Sequence, residues 1–217
     1  MTDYATRRTM MVDTQIRPSD VTKFPIIDAM LSVPRENFVP RDLREAAYVG
    51  ECTTLDKGRV ILEPRTFAKM LDALDVQSDE LVLDIGSGLG YSSAILARLA
   101  EAVVALEDNA ERCQEAQEAL SEFGADNVIC QNGALHQGAP EHGPYDVIFV
   151  QGAVDQMPTA ILDQLKDGGR IIAIFAQGAF GSVKIGYKLD GKVDWRTVFN
   201  AGAPVLPGFE KQQTFAL

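Results

Sequence analysis

The stretch Glu80–Tyr91, reading E-L-V-L-D-I-G-S-G-L-G-Y, constrains this chain more than any other. Leu81, Val82 and Leu83 form the short apolar run of a strand buried on both faces. Three glycines follow at alternate positions, Gly86, Gly88 and Gly90, and then Y-S-S-A-I-L-A-R-L opens a helical pattern at Tyr91. Strand, glycine turn and helix make the start of a nucleotide-binding βαβ unit, in which backbone N–H groups at the helix start face the ligand. Glycine belongs in such a turn wherever the backbone needs unusual dihedrals or a Cβ would strike the ligand.

The residues around the turn narrow the ligand. The dinucleotide fingerprint G-x-G-x-x-G requires a third glycine where this chain has Tyr91, and no P-loop lysine follows. Asp84, just before the turn, would repel a pyrophosphate. It suits a ligand with cationic groups and no phosphate, such as S-adenosylmethionine with its sulfonium and ammonium. Glu107 ends the next apolar run, A-V-V-A-L from Ala102, which places a carboxylate at a second strand tip where a ribose diol would lie. Ser87, Tyr91 and Asp108 flank these positions and complete the expected cofactor contacts on this side.

Around this unit the hydrophobic pattern predicts a series of elements. Met10, Met11 and Ile16 suggest an amphipathic helix stopped by Pro18; Ser19 or Asp20 caps a second, with Ile26, Ile27, Met30 and Leu31 as its apolar face. Residues 46–63 read as a long irregular loop, and Arg65–Leu74 as a helix. Strands are expected over 80–85, 102–107, 127–131, 145–150 and 170–175. Helices are expected over 91–100, 109–122 with Asn109 as N-cap, and 157–165, with Lys166–Gly169 as the stop of the last. Two alternating runs, Val183–Leu189 and Val193–Phe199, flank Asp190 and Gly191, a strong hairpin signal. The series describes a Rossmann-like α/β fold: a mostly parallel seven-stranded sheet with a C-terminal antiparallel hairpin, plus an N-terminal helical extension. Residues 1–78 form the helical cap and a substrate-side loop, and residues 79–217 the cofactor-binding core.

Composition removes several classes of function. A net charge of -11 argues against a nucleic-acid partner, because phosphate contacts need a basic face. No apolar run approaches a membrane span, and the N-terminus, M-T-D-Y-A-T-R-R, has no apolar leader, so a cytoplasmic protein without a membrane partner is expected. Cys52, Cys113 and Cys130 are isolated, with no metal or redox spacing; buried reduced thiols suit a reducing compartment, and no metal site is expected. The oligomeric state leaves no mark in the sequence.

Several blocks together resemble the protein-L-isoaspartate O-methyltransferase family over about Val33 to Leu206. They are V-P-R-E-N-F from Val33, L-D-I-G-S-G-L-G-Y-S-S-A-I-L from Leu83, P-Y-D-V-I-F-V from Pro144, Met157 with Pro158, and L-K-D-G-G-R-I from Leu165. The glycine loop marks class I methyltransferases generally, and V-P-R-x-x-F with the block order is more specific to the family. The resemblance implies S-adenosylmethionine as methyl donor, with Asp84, Gly86, Gly88, Gly90 and Glu107 at the matching cofactor positions. It also implies an O-methyltransferase acting on isoaspartyl residues of damaged proteins or peptides.

Three departures lie on the substrate and adenine sides. The family's T-I-S-x-P reads V-I-L-E-P, so Leu62 stands at the Ser near the methyl acceptor and Val60 at the Thr. The family's G-D-G, whose Asp contacts the adenine amine, reads Gly133, Ala134, Leu135, which leaves the backbone of Ala134 and Leu135 for that contact. The C-terminal R-F-V-P-L, which helps hold the peptide, reads Gly202 to Leu206 as G-A-P-V-L. A carboxylate acceptor with a pKa near 4 needs no general base at neutral pH, so catalysis rests on alignment and exclusion of water. Losing the Ser removes an orienting donor worth ~1–3 kcal/mol if buried, for which Thr53 and Thr54 are candidate replacements. Two other readings stay open on these losses: a methyltransferase with a different acceptor, and a catalytically silent S-adenosylmethionine-binding protein.

Overall fold

A computed structural model describes residues 3–56, 58–178 and 180–211. Helix α1 (Tyr4–Met11) opens the chain, with the Asp3 carboxylate accepting from the Thr6 N–H at its N-cap. It widens into a π-helical turn over Val12–Ile16 and tightens into a 3-10 turn at Arg17–Ser19, which contains Pro18. Met11, Val12 and Ile16 are buried, whereas Met10 is 55% exposed and lies off the apolar face expected for it. Helix α2 (Phe24–Ser32) starts after Lys23, not at Ser19 or Asp20. Asp20 is left-handed (φ 66°) and closes the preceding turn, while Pro25 occupies the first turn of the new helix. Ile26, Ile27 and Met30 are buried and Leu31 half-buried.

Residues 46–63 contain a hairpin where an irregular loop was expected. Strand β1 (Thr53–Asp56) pairs antiparallel with β2 (Arg59–Ile61), Thr53 opposite Ile61 and Thr54 opposite Val60. All four of these residues are β-branched and favour the pairing, and Gly58 (φ 81°) turns the chain between them. Strands this short give too few alternations for a period to register in sequence. Helix α3 (Pro64–Leu74) follows and buries Phe67, Met70, Leu71 and Leu74.

The sheet is built from β3 (Leu81–Ile85), β4 (Ala102–Glu107), β5 (Val128–Asn132), β6 (Tyr145–Val154), β7 (Leu165–Gln177), β8 (Phe180–Leu189) and β9 (Lys192–Asn200). Its order is β5-β4-β3-β6-β7-β8-β9, parallel up to β7 and antiparallel over the last two. The hairpin turn at Asp190 and Gly191 takes positive φ at both residues, 50° and 73°. Helices α4 (Tyr91–Leu96), α5 (Ala110–Phe123) and α6 (Thr159–Asp163) connect the parallel strands. Helix α4 ends at Leu96, before the expected residue 100, and Asn109 caps α5 as expected, its side chain accepting from the Arg112 N–H at 2.9 Å. Helix α6 is shorter than 157–165 because Pro158 is its N-cap and Leu165 already pairs with Tyr145; Lys166–Gly169 therefore belong to β7.

Side-chain alternation divides the core in two. Val82, Val147, Phe149 and Ile172 pack with residues of α1–α5 on one face of the sheet. Leu83, Ile85, Ile148, Val150 and Ile171 pack on the other, with Ile161, Leu206 and Phe209. That second face is closed by α6 and by a strap over residues 201–209. The Ala153 N–H donates to the Pro204 carbonyl and the Leu206 N–H to the Ala153 carbonyl, both at 2.9 Å. The strap crosses the far end of β6 beside the tip of β3, where a doubly wound sheet presents its ligand crevice. Of the thiols, Cys113 is buried as expected, while Cys52 and Cys130 are half-buried; all three are free.

Candidate functional site

The turn after β3 folds back on β4. The Gly86 and Ser87 N–H groups both donate to the Leu106 carbonyl, at 2.8 and 3.2 Å. Gly86, Gly88 and Gly90 have φ of 79°, 59° and 92°, so the left-handed conformation is needed at all three. The Gly88 N–H donates to Glu107 Oε2 at 2.9 Å, which joins the turn to the carboxylate at the next strand tip.

Asp84 has no solvent contact. Its Oδ2 accepts from the hydroxyls of Ser92 (2.5 Å) and Ser93 (2.6 Å), and Oδ1 from Gln151 Nε2 (3.2 Å). Burial pushes its pKa up to about 6, against the lowering effect of these three donors. Its hydrogen bonds tie the start of α4 to β6, so the carboxylate expected opposite a cationic ligand is engaged by the chain itself.

Glu107 is equally buried, but its partners are cations. Arg59 on β2 donates through Nη1 to Oε1 (2.9 Å) and through Nη2 to Oε2 (2.7 Å), and also pairs with the neighbouring Asp108 carboxylate. Arg112 on α5 adds Nε to Oε1 at 3.0 Å and pairs with Asp56 on β1. Burial by itself works to raise the Glu107 pKa; hydrogen bonds and charge from Arg59, then Arg112, overcome it and hold the carboxyl well below the usual range.

The same hairpin lies over the glycines. A Cβ on Gly86 would come 3.3 Å from Arg59 Nη2 and 3.6 Å from Leu206, and one on Gly88 would come 2.8 Å from Leu55 Cδ1. Gly152 on β6 is pressed by Leu206 in the same way, at 2.6 Å. The glycines thus form a cradle, and Arg59, Leu55 and Leu206 fill it. Beside it runs a groove of about 430 Å³ lined by Asp108, Gly133, Ala134, Leu135, Pro207 and others, which brings the expected adenine-side residues together.

The remaining expected residues separate from this cluster. Tyr91 is buried with its ring near Phe38 (6.3 Å) and Phe67 (5.9 Å) and the Arg35 guanidinium 4.6 Å above it. Its side chain thus serves the helical core and not the cofactor turn, a correction to the role expected for it. Leu62 is buried among the same residues, and its carbonyl accepts from Arg35 Nη2 at 3.0 Å. Thr53 is buried and Thr54 exposed, on opposite faces of β1. Ser92 and Ser93, expected at the helix start or on the cofactor, both serve Asp84. Sequence reasoning missed Arg59, Arg112, Asp56 and Gln151. Arg59 lies 48 positions from Glu107 and Arg112 lies 56 from Asp56, so no local spacing announces either pair. The one available signal was Arg59 itself, a cation heading the apolar run V-I-L.

Comparison with known proteins places the chain in one family. The family profile described as Protein-L-isoaspartate(D-aspartate) O-methyltransferase (PCMT) matches residues 6–199. The chain is 33% identical over 201 residues to Protein-L-isoaspartate O-methyltransferase 2 of Pelobacter propionicus, covering 93% of this chain and 89% of that protein. A solved protein-L-isoaspartate O-methyltransferase superposes with a TM-score of 0.80 at 26% identity, over 93% of this chain and 66% of that one. A Plasmodium falciparum protein in complex with S-adenosyl-L-homocysteine superposes with a TM-score of 0.78 over 95% of this chain and 99% of that one. At 18% identity this last match carries the fold alone.

Proposed function

The chain belongs to the protein-L-isoaspartate O-methyltransferase family, and from that membership we propose that it transfers a methyl group from S-adenosylmethionine to the carboxylate of isoaspartyl residues in proteins or peptides. One observation carries the reading: the Gly88 N–H bond to Glu107 couples a turn of left-handed glycines to a buried carboxylate at the next strand tip. The residues suit the cofactor. Glu107 turns both oxygens toward a two-pronged donor, which is the pattern a vicinal diol offers, and the Arg59 fork stands in for that diol here. The glycines let other groups come close to the backbone of the turn, where Arg59, Leu55 and Leu206 now lie, and the groove along Asp108, Ala134 and Leu135 is the adenine side. Ser87 and Asp84 complete the set as supports of the turn.

The cofactor supplies an electrophilic methyl group on a sulfonium. The chain's part is to bind it, orient the acceptor and exclude water. An isoaspartyl carboxylate is ionised at neutral pH and needs no base to activate it. With Leu62 facing the core, the family's hydroxyl is gone, but what is lost is an orienting contact and not a chemical step. Thr54 is the exposed hydroxyl on β1 and the candidate to take over that contact. In this reading residues 1–78 serve as the cap and substrate side and 79–217 as the cofactor core. The work is repair of aged proteins in a reducing cytoplasm, which three free thiols suit.

The test is radiolabelled methyl transfer to an isoaspartyl peptide against its normal aspartyl counterpart. Label in the isoaspartyl peptide alone is expected. Label in neither, with S-adenosylhomocysteine still bound, would replace the reading with a different methyl acceptor or a catalytically silent binding role.

A further inference from the structure

Taking S-adenosylmethionine as the cofactor, as proposed above, the geometry points to Arg59 as the residue that governs its entry: the β1–β2 hairpin closes the ribose position with its own guanidinium, and the cofactor binds as that guanidinium leaves Glu107.

Three observations converge on this. The first is occupancy. Arg59 is 1% exposed and donates to both Glu107 oxygens, while Gly88 and Arg112 donate to the same carboxylate. A ribose diol needs those two oxygens, so diol and guanidinium exclude one another. Its Nη2 also sits 3.3 Å from where a Gly86 Cβ would be, which is where a ligand approaches the turn.

The second is how the hairpin is fastened. Beyond the Arg59 pair, Asp56 pairs with Arg112 and Leu55 lies against Gly88, while Val60 and Ile61 anchor β2 in the main core, so the exchangeable part is the Arg59 side chain with the β1 end of the hairpin. Asp56 is about half exposed, so its pair is open to water and salt. Among the described residues Arg59 Nε is buried without a hydrogen-bond partner, so no group among them repays this donor in the closed state. Such a contact can be exchanged for another that uses the same carboxylate.

The third is charge. With Arg59 in place, two guanidiniums face Glu107, Asp108 and Asp56. With it withdrawn, three carboxylates face Arg112 alone, and the site turns markedly more negative. The pull on a cationic ligand is then stronger, because one of the two neutralising cations has gone. Arg59 therefore acts both as a steric plug and as an electrostatic competitor for the cofactor.

The experiment is binding of S-adenosylhomocysteine and S-adenosylmethionine by calorimetry to the full-length wild-type chain and to Arg59→Gln. The variant is expected to bind both at least tenfold more tightly. Equal, measurable affinity in the two proteins would overturn the plug and leave the cofactor reading standing. No binding to either folded protein would overturn both. Should Arg59→Gln fail to fold, hydrogen exchange on the wild type decides: saturating S-adenosylhomocysteine should speed exchange across residues 53–61 while slowing it across 84–91. Slower exchange in both segments, the mark of a flap that closes over its ligand, would overturn the proposal.

Discussion

Asp84, next to last in β3, and Glu107, last in β4, lie at the ends of neighbouring parallel strands, and neither touches solvent. Asp84 is surrounded by neutral donors, so the cost of burying a charge prevails and its pKa rises to about 6. Glu107 bears the same cost but meets Arg59 and Arg112, and its pKa falls. Depth is therefore the same in both and partner chemistry decides the charge state. The origin of the partners matters as much. Those of Asp84 come from α4 and β6, next to it in the sheet unit, and they make it a fixture of the fold. Arg59 comes from a hairpin outside the seven-stranded sheet, so the Glu107 pair joins two separate elements and, in the inference above, is released as the cofactor binds.

The largest expected effect is on the cationic side. Glu107→Ala would strip the counter-charge from the buried Arg59 and the half-buried Arg112, and a loss of about 3–5 kcal/mol is expected in urea unfolding. A loss below about 1 kcal/mol would show that Asp108 and Asp56 hold the arginines unaided and would erase the contrast.

Next comes pH. The folded pKa of Asp84 lies above its ordinary value of 3.8, so between about pH 4 and 6 the native protein binds a proton that the unfolded chain has lost. Stability should therefore fall as pH rises through this window, by up to about 3 kcal/mol. Glu107 runs the other way: its contribution is present above its ordinary value of 4.5 and is lost as pH falls below it. Asp84→Asn should flatten the decline between pH 4 and 6, read from urea midpoints at the two ends. A slope that survives the substitution would assign the proton to another group.

The smallest effect sharpens the comparison at the hairpin. Asp56→Asn removes a half-exposed pair with Arg112, and a loss of about 0.5 kcal/mol or less is expected in the same unfolding measurement. A loss as large as that of Glu107→Ala would mean that the hairpin is held at its tip and not at the buried carboxylate.

The sheet and its glycine turn were readable before any coordinates because their signals are local. Strands buried on both faces are continuous apolar runs, and positive φ selects glycine at Gly86, Gly88 and Gly90. Asn109 as a helix cap and Asp190 with Gly191 as a hairpin turn are equally local. The errors cluster where the signal was weak or the partner distant. The β1–β2 hairpin is too short to show a period, and Met10, beside the buried Met11 on α1, was assigned to an apolar face from which it is turned away. Tyr91 directly follows the cofactor turn in sequence, yet its ring is taken up by Phe38, Phe67 and Arg35.

By itself the sequence determined the α/β plan, the left-handed turn and the placing of acidic residues at two adjacent strand tips, because each depends on residues that are neighbours along the chain. Tertiary structure alone decided what those acids do. Ser92, Ser93 and Arg112 lie within a few turns of the acids they reach, but Gln151 and Arg59 arrive from a strand and a hairpin far along the chain, and whether a buried carboxylate meets a hydroxyl or a guanidinium is settled only when those elements pack.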